Sequence, residues 1–143
     1  MARRSRRIAY RPYRLTLVDT SAWVEFLRDT GSAVCVRVDQ LLEGDIATCD
    51  PIRMELLAGA RDERHLDDLR RLLARTSALQ TVPADYEDAA ALYRTCRRGG
   101  ETVRRMIDCL IAGIAIRSDL PVLHADSDFE VLSRHTGLRI ASL

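Results

Sequence analysis

The sequence predicts an α/β fold: a three-layer α/β/α domain with a mainly parallel sheet of four to five strands. Short apolar runs typical of buried strands recur along the chain, and two amphipathic helix patterns separate most of them. Connections of that length return the chain parallel to the preceding strand. The 143 residues, 47% of them apolar, can bury one core, so we expect a single domain over residues 15–143.

Apolar periodicity and turn residues place the individual elements. In order, they predict a strand at 15–18, helices at 22–28 and 32–42, a strand at 46–49, helices at 51–58 and 63–75, a strand at 79–82, helices at 84–98 and 102–117, a strand at 121–124, a helix at 129–135 and a strand at 138–140. Asp50 and Thr102 are predicted to be helix N-caps, and Pro83 to end the third strand.

Charge is unevenly distributed along the chain. Residues 1–14 hold six arginines and no acid, and the formal net charge of +1 less this +6 leaves −5 on the remainder. A basic arm on an acidic domain fits a protein that gathers cations in a cleft while its arm touches phosphates. A disordered tail or an overlong start is the other interpretation of the arm.

Composition argues against two classes of protein. No apolar run approaches the roughly 20 residues of a membrane span, and the arginine-rich start lacks the apolar segment of a secretory signal. We therefore expect a soluble, cytoplasmic protein without a membrane partner. The cysteines form no Cys-x-x-Cys pair, which argues against a zinc knuckle or a disulfide framework and favours buried free thiols. They are Cys35, Cys49, Cys96 and Cys109.

Acidic residues follow the predicted strands. Asp19 and Asp126 close strands, with Asp128 just beyond, while Glu55 lies one turn into a helix that follows a strand. Asp108 lies in the second turn of a predicted helix that is otherwise apolar at this point. The carboxyl ends of parallel strands border a common crevice, so we expect these side chains to meet there. Clustered carboxylates repel one another and stay ionised together only around a cation, which predicts a metal site.

Oxygen donors without a paired histidine or cysteine favour Mg²⁺ or Mn²⁺ over zinc. Such an ion polarises a phosphoryl group, which indicates hydrolysis of a phosphodiester. Thr20 and Ser21 are placed to hydrogen-bond a ligating carboxylate or a metal-bound water. Taken singly, Asp19 is equally well explained as an N-cap and Glu55 as a surface acid, so their joint placement carries the prediction.

Four segments resemble, in order and spacing, the motifs of PIN-domain proteins, and more narrowly those of the VapC toxins of bacterial toxin-antitoxin pairs. The segments are Leu17-Val18-Asp19-Thr20-Ser21-Ala22-Trp23, Glu55-Leu56-Leu57-Ala58-Gly59, Ile107-Asp108-Cys109-Leu110-Ile111-Ala112 and His124-Ala125-Asp126-Ser127-Asp128-Phe129. The likeness covers roughly residues 15–140. Two departures are the arm before Leu15 and His124, where many relatives have threonine or asparagine.

The resemblance implies a Mg²⁺- or Mn²⁺-dependent endoribonuclease that cuts tRNA or rRNA. It also implies inhibition by a VapB-type antitoxin whose tail enters the cleft, a homodimer, and larger toxin-antitoxin complexes. Asp19, Glu55, Asp108 and Asp126 match the acidic quartet of the family, which gives them catalytic roles. The metal ligands it implies are Asp19, Asp108, Asp126 and Asp128, the last matching a fifth acid of variable role.

Arg104 and Arg105 are candidates for contacts with RNA phosphates or with the antitoxin, although an ordinary charged helix turn explains them equally well. Two rival functions remain. A haloacid-dehalogenase-type phosphatase also begins with a strand and an aspartate, but it needs a second aspartate where this chain has Ser21, and a lysine, which this chain lacks. The other is a catalytically silent PIN-like RNA-binding or scaffold module.

Overall fold

The structure is a computed structural model and describes residues 15–143. It contains four strands, β1 (Thr16–Val18), β2 (Ile46–Cys49), β3 (Ser77–Leu79) and β4 (Val122–Leu123). The helices are α1 (Thr20–Leu27), α2 (Ala33–Leu41), α3 (Asp50–Ala58), α4 (Glu63–Leu73), α5 (Pro83–Arg98), α6 (Met106–Arg117) and α7 (Ser127–His135). The basic arm lies outside the described residues.

The four strands form one parallel sheet in the order β3-β2-β1-β4. This confirms the predicted mainly parallel sheet. The predicted last strand is reduced to a single parallel bridge between Ile140 and Val122. Strand β1 is central and pairs with both β2 and β4, so the end of β1 lies between the ends of its two neighbours.

Helices cover both faces of the sheet, as predicted. Helices α1 to α4 contact one another, and α5 to α7 form a second mutually contacting set. The chain steps in one direction from β1 to β3 and then returns to β4, so right-handed crossovers place the two sets on opposite faces. Trp23 and Ile111, both fully buried, belong to the core between these layers.

Several predicted boundaries are wrong. Cys49, not Asp50, is the N-cap of α3. Asp50 lies in the first turn, where its negative charge interacts favourably with the helix dipole. Strand β3 begins two residues before the predicted strand, because it is a largely exposed edge strand without an apolar pattern. Pro83 begins α5, and Val82 before it is extended.

A further error concerns α6, which begins at Met106 and not at Thr102. The preceding segment buries Val103 and leaves Arg104 and Arg105 outside the helix. Asp108 consequently lies in the first turn of α6, one turn earlier than predicted. Two apolar side chains at helix ends are exposed: Leu27, the last residue of α1, and Met106, the first of α6.

A buried ion pair fastens α5 to the end of α6. Arg117 donates from Nε to Asp85 Oδ1 (2.7 Å) and from Nη2 to Asp85 Oδ2 (3.0 Å) and the Gln80 carbonyl (2.6 Å). Asp85 also accepts from the backbone N–H of Val82 at 2.8 Å. The Asp85 side chain is fully buried, and the hydrogen bonds from Arg117, opposed by burial, hold its pKa below the usual value.

All four cysteines are free and buried, as predicted. Burial, reinforced by nearby carboxylates, raises the pKa of the Cys49 thiol to about 12, and burial together with neighbouring acidic groups does the same for Cys109. We therefore expect a thiol-specific reagent such as a disulfide dye to label none of the four cysteines in the native protein at pH 8, and all four in denaturant. Rapid labelling of the native chain would contradict the buried placement. Within residues 15–143, no helix is long and apolar enough to cross a membrane.

Candidate active site

Asp19 lies where β1 passes into α1 and is almost fully buried. It caps α1, since the Ser21 backbone N–H donates to Asp19 Oδ2 at 2.9 Å and the Ser21 hydroxyl donates to the same oxygen at 2.6 Å. The Ser21 hydroxyl also accepts from the Ala125 backbone N–H at 2.9 Å. Asp19 is thus both an N-cap and a member of the acidic crevice, and Ser21 ties it to the loop after β4.

Three of the predicted acids form a compact carboxylate group. Asp108, Asp126 and Asp128 each offer one oxygen, and these oxygens lie within 4.8 Å of one another. Asp108 and Asp128 are buried, and Asp126, the N-cap of α7, is partly so. The first turn of α6 and the start of α7 therefore present carboxylates to a shared point.

Asp19 and Glu55 are outside this three-carboxylate group but adjoin it. Together with Asp108 and Arg105 they line a pocket of about 300 Å³. Glu55 is held from two sides: the Thr20 hydroxyl donates to its Oε1 at 2.9 Å, and Arg105 forms an ion pair with its other oxygen. The structure thus brings all five predicted acids to one crevice, and Thr20 supports Glu55, which is not among the predicted metal ligands.

Arg104 bridges the two acids at the start of α7, Asp126 and Asp128. Its Nε donates to Asp128 Oδ1 at 3.1 Å, and its Nη2 donates to Asp126 Oδ1 at 2.9 Å and to the Ser127 hydroxyl at 3.3 Å. Its side chain remains about two-thirds exposed. Both predicted arginines therefore face the crevice from the segment before α6, not from the helix turn on which the sequence placed them.

The environments of the acids push their pKa values apart. Burial raises the pKa of Asp19, and repulsion from Glu55 adds to the effect against the hydrogen bonds from Ser21. Burial, followed by repulsion from Asp19 and Asp126, raises the pKa of Asp108 to about 8, although Arg105 opposes this. Burial also acts to raise the pKa of Asp128, but hydrogen bonds, chiefly from Arg104, outweigh it and lower that pKa. Divergent pKa values among close carboxylates are typical of functional sites.

Several carboxylate oxygens of these acids are buried without a hydrogen-bond partner and could therefore coordinate a cation. Among the described residues, three buried carboxylate oxygens have no hydrogen-bond partner: Asp19 Oδ1, Asp108 Oδ2 and Asp128 Oδ2. Unsatisfied buried polar atoms are costly in a folded protein. Hard oxygen donors without a histidine or thiolate among them fit Mg²⁺ or Mn²⁺ and not a typical zinc site.

His124, the departure noted in the sequence, has a local structural role. Its Nδ1 accepts from the Asp126 backbone N–H at 3.1 Å, its Nε2 lies 3.1 Å from Glu130, and its ring packs against Phe129. The histidine thereby shapes the loop that carries Asp126. Its ring nitrogens are engaged by the backbone of that loop and by Glu130 on the first turns of α7.

A parallel sheet flanked by helices on both faces, with carboxylates gathered beyond the ends of β1 and β4, defines the class of α/β domains with an acidic cleft. A model of the PIN domain family matches residues 16–134. The chain is 47% identical to ribonuclease VapC11 of Mycobacterium tuberculosis and to a VapC ribonuclease of Mycobacterium bovis, over 90% of this chain and 98% of each relative. The chain therefore belongs to the VapC ribonucleases of the PIN-domain family.

Solved structures share the fold at low sequence identity. The VapBC2 complex of Rickettsia felis, bound to a promoter DNA fragment, matches with a TM-score of 0.71 and 16% identity, over 90% of this chain and 98% of that one. The Mycobacterium tuberculosis toxin VapC20, described as cleaving the sarcin-ricin loop, matches with a TM-score of 0.60 and 18% identity, over 87% of this chain and 98% of that one. At such identities these matches bear on the fold alone.

Proposed function

We propose that this protein is the toxin of a type II toxin-antitoxin pair, an endoribonuclease that requires Mg²⁺ or Mn²⁺ and hydrolyses phosphodiester bonds in tRNA or rRNA in the cytoplasm. The observation that carries the proposal is the convergence of Asp108, Asp126 and Asp128, beside Asp19, with buried oxygens that lack hydrogen-bond partners. Family membership supports the ribonuclease activity, and the acids support its dependence on a metal.

In this proposal Asp19, Asp108, Asp126 and Asp128 hold the ion, and Asp19, Glu55, Asp108 and Asp126 form the catalytic quartet. When bound, the ion neutralises the phosphodiester and steadies charge on the leaving oxygen. Ser21 fixes the rotamer of Asp19 through two hydrogen bonds, and Thr20 with Arg105 fixes that of Glu55. Side chains held in this way keep the carboxylates in place without reorganisation during the reaction.

Arg104 and Arg105 bring the positive charge that a polyanionic substrate needs. Both guanidinium groups contact the acids and are half exposed or more, so each can also face a phosphate or a carboxylate of a protein partner. We assign them to contacts with RNA or with a cognate VapB-type antitoxin. The proposal includes a homodimer that joins the antitoxin in a larger complex, and a basic arm at residues 1–14 that adds phosphate contacts to the domain at 15–143.

The proposal is tested by incubating the purified protein with total cellular RNA. We expect cleavage with millimolar Mg²⁺ or Mn²⁺, none after chelation by EDTA, and restoration when excess ion is added. Asp108→Asn should abolish this cleavage, whereas Asp67→Asn, which makes the same change of charge on the exposed face of α4, should cleave like the unmodified protein. Mapped cut sites would identify the RNA.

Calorimetric titration with Mn²⁺ separates the enzyme from a silent binding module. A bound ion should also raise the free energy of unfolding, by about 2.7 kcal/mol at an ion concentration one hundred times the dissociation constant. Absence of binding at millimolar Mn²⁺, together with intact RNA, would favour the silent module and remove the proposed activity.

A further inference from the structure

A second concavity adjoins the acidic pocket. It has a volume of about 450 Å³ and lies between the end of α1, the end of α3 and the start of α4. Its apolar wall is formed by Val24, Leu27, Leu56 and Leu69. We call it the α1–α4 groove. Its volume is within the range of about 300–1,000 Å³ that holds small ligands.

The α1–α4 groove and the acidic pocket are continuous. Thr20, Val24 and Glu55 line both of them. A chain molecule whose backbone is held at the carboxylates therefore extends directly into the groove. Glu55 does not make this passage strongly negative, because Arg105 pairs with it.

The rim of the groove is positively charged. Arg28, at the C-cap of α1, and Arg61, in the connection before α4, are both exposed and line it. Within residues 15–143, neither guanidinium group makes a hydrogen bond or an ion pair, in contrast to Arg104, Arg105 and Arg117. Two exposed cations without partners beside a nuclease site complement an anionic chain such as the RNA backbone.

His65 supplies a planar side chain at the same groove. Its Nδ1 accepts the Arg61 backbone N–H at 3.1 Å, which leaves the ring proton on Nε2, and its own backbone N–H is capped by Asp62 at 2.8 Å. The ring is thereby held in place and keeps one N–H available for donation. A base that enters an apolar groove beside an imidazole finds both a stacking surface and a polar partner.

We propose that the α1–α4 groove binds a nucleotide of single-stranded RNA adjacent to the bond that is cut, with Arg28 and Arg61 contacting its phosphates and the apolar wall with His65 receiving its base. The inference rests on the proposed ribonuclease function and adds to it a site that selects unpaired RNA. Duplex RNA does not fit this role, because its bases are stacked and cannot enter a groove of this kind.

The test uses a fluorescently labelled single-stranded RNA of about ten nucleotides that contains a cut site mapped with the unmodified protein. Affinity is measured by anisotropy in the full chain carrying Asp108→Asn, with and without Arg28→Gln plus Arg61→Gln. We expect the double change to weaken binding about tenfold. The slope of log affinity against log salt should fall by about 1.4, since each phosphate contact to a single strand contributes about 0.7.

Kinetics give an independent readout. In the otherwise unmodified chain, Arg28→Gln plus Arg61→Gln should raise KM about tenfold and leave kcat within about twofold, while calorimetric Mn²⁺ binding is unchanged. A shorter RNA that keeps only the nucleotides next to the cut bond would occupy the acidic pocket without reaching the groove. On this RNA the double variant and the unmodified protein should have the same KM and kcat. Arg70→Gln plus Arg71→Gln, on the exposed face of α4, is the matched control and should change none of these values.

The outcomes separate the two proposals. If the unmodified protein cleaves RNA but the groove variant matches the Arg70 and Arg71 control, the groove proposal is overturned, the ribonuclease stands, and the groove is left to a protein partner. If the unmodified protein cleaves no RNA with either ion, the proposed function itself fails. Arg28 and Arg61 are exposed, so the variants should fold normally, as checked by thermal unfolding.

Discussion

Asp108→Asn should abolish RNA cleavage, with a fall in kcat/KM of at least about 1,000-fold, equivalent to roughly 4 kcal/mol of transition-state stabilisation. The neutral amide keeps the shape of the side chain but removes the charge that a divalent ion needs from the most buried member of the cluster. Calorimetry should show weaker Mn²⁺ binding by the same variant.

The loss would not arise from unfolding. Burial and the neighbouring Asp19 and Asp126 destabilise a charged carboxylate at position 108, as its raised pKa indicates. Replacing it with a neutral group should therefore leave the chain at least as stable as the unmodified protein when both are unfolded in the presence of EDTA. Full cleavage by Asp108→Asn would contradict the assignment of this residue, and so would activity lost only in proportion to a fall in stability.

Arg117→Ala should lower the free energy of unfolding by about 3 kcal/mol without any direct effect on the carboxylates of the active site. The substitution removes the two charged hydrogen-bond donors of the fully buried Asp85 carboxylate, which are Nε and Nη2 of Arg117. It also removes the hydrogen bond that the Gln80 carbonyl accepts from Nη2. Urea unfolding measures the effect. Arg70→Ala, which removes an exposed pair with Asp67, is the control and should cost about 0.5 kcal/mol or less.

The contribution of this pair should depend on pH. The hydrogen bonds from Arg117 depress the pKa of Asp85 below its ordinary value of 3.8, so the stabilisation is fully present above that value and is lost as pH falls through the folded-state pKa. The difference between the unmodified protein and Arg117→Ala should therefore be large at pH 7 and shrink in strongly acidic solution. A difference that stayed constant down to pH 2 would indicate that the arginine acts by packing and not by charge.

The parallel sheet and the acidic crevice could be predicted because both depend on local patterns. Asp19 directly follows an apolar strand, and Asp126 lies three residues after another. Asp108 is an isolated charge in an apolar helix, so each of the three stands out without knowledge of the tertiary structure. The start of α6 is harder to predict, because Thr102 has the chemistry of an N-cap, whereas in the structure Val103 is buried and the helix begins only at Met106.

The Asp85–Arg117 pair and the α1–α4 groove could not be predicted in the same way. Asp85 and Arg117 each resemble the ordinary charged residue of a helix end, and their meeting depends on how α5 packs on α6. The groove joins segments from three helices, and its exposed member Leu27 looks like part of a buried stripe in the sequence. Such features arise from the relative positions of elements, which single-chain periodicity does not encode.

The position of β1 in the middle of the sheet has a consequence for biosynthesis. Its partner on one side, β4, and the acids Asp126 and Asp128 come about one hundred residues later in the chain than Asp19. While the chain is still emerging from the ribosome, the first aspartate therefore has none of the late carboxylates beside it, and contacts between such distant segments form slowly. The proposed nuclease would thus lack its complete acidic cluster until the segment that carries Asp126 and Asp128 has been translated.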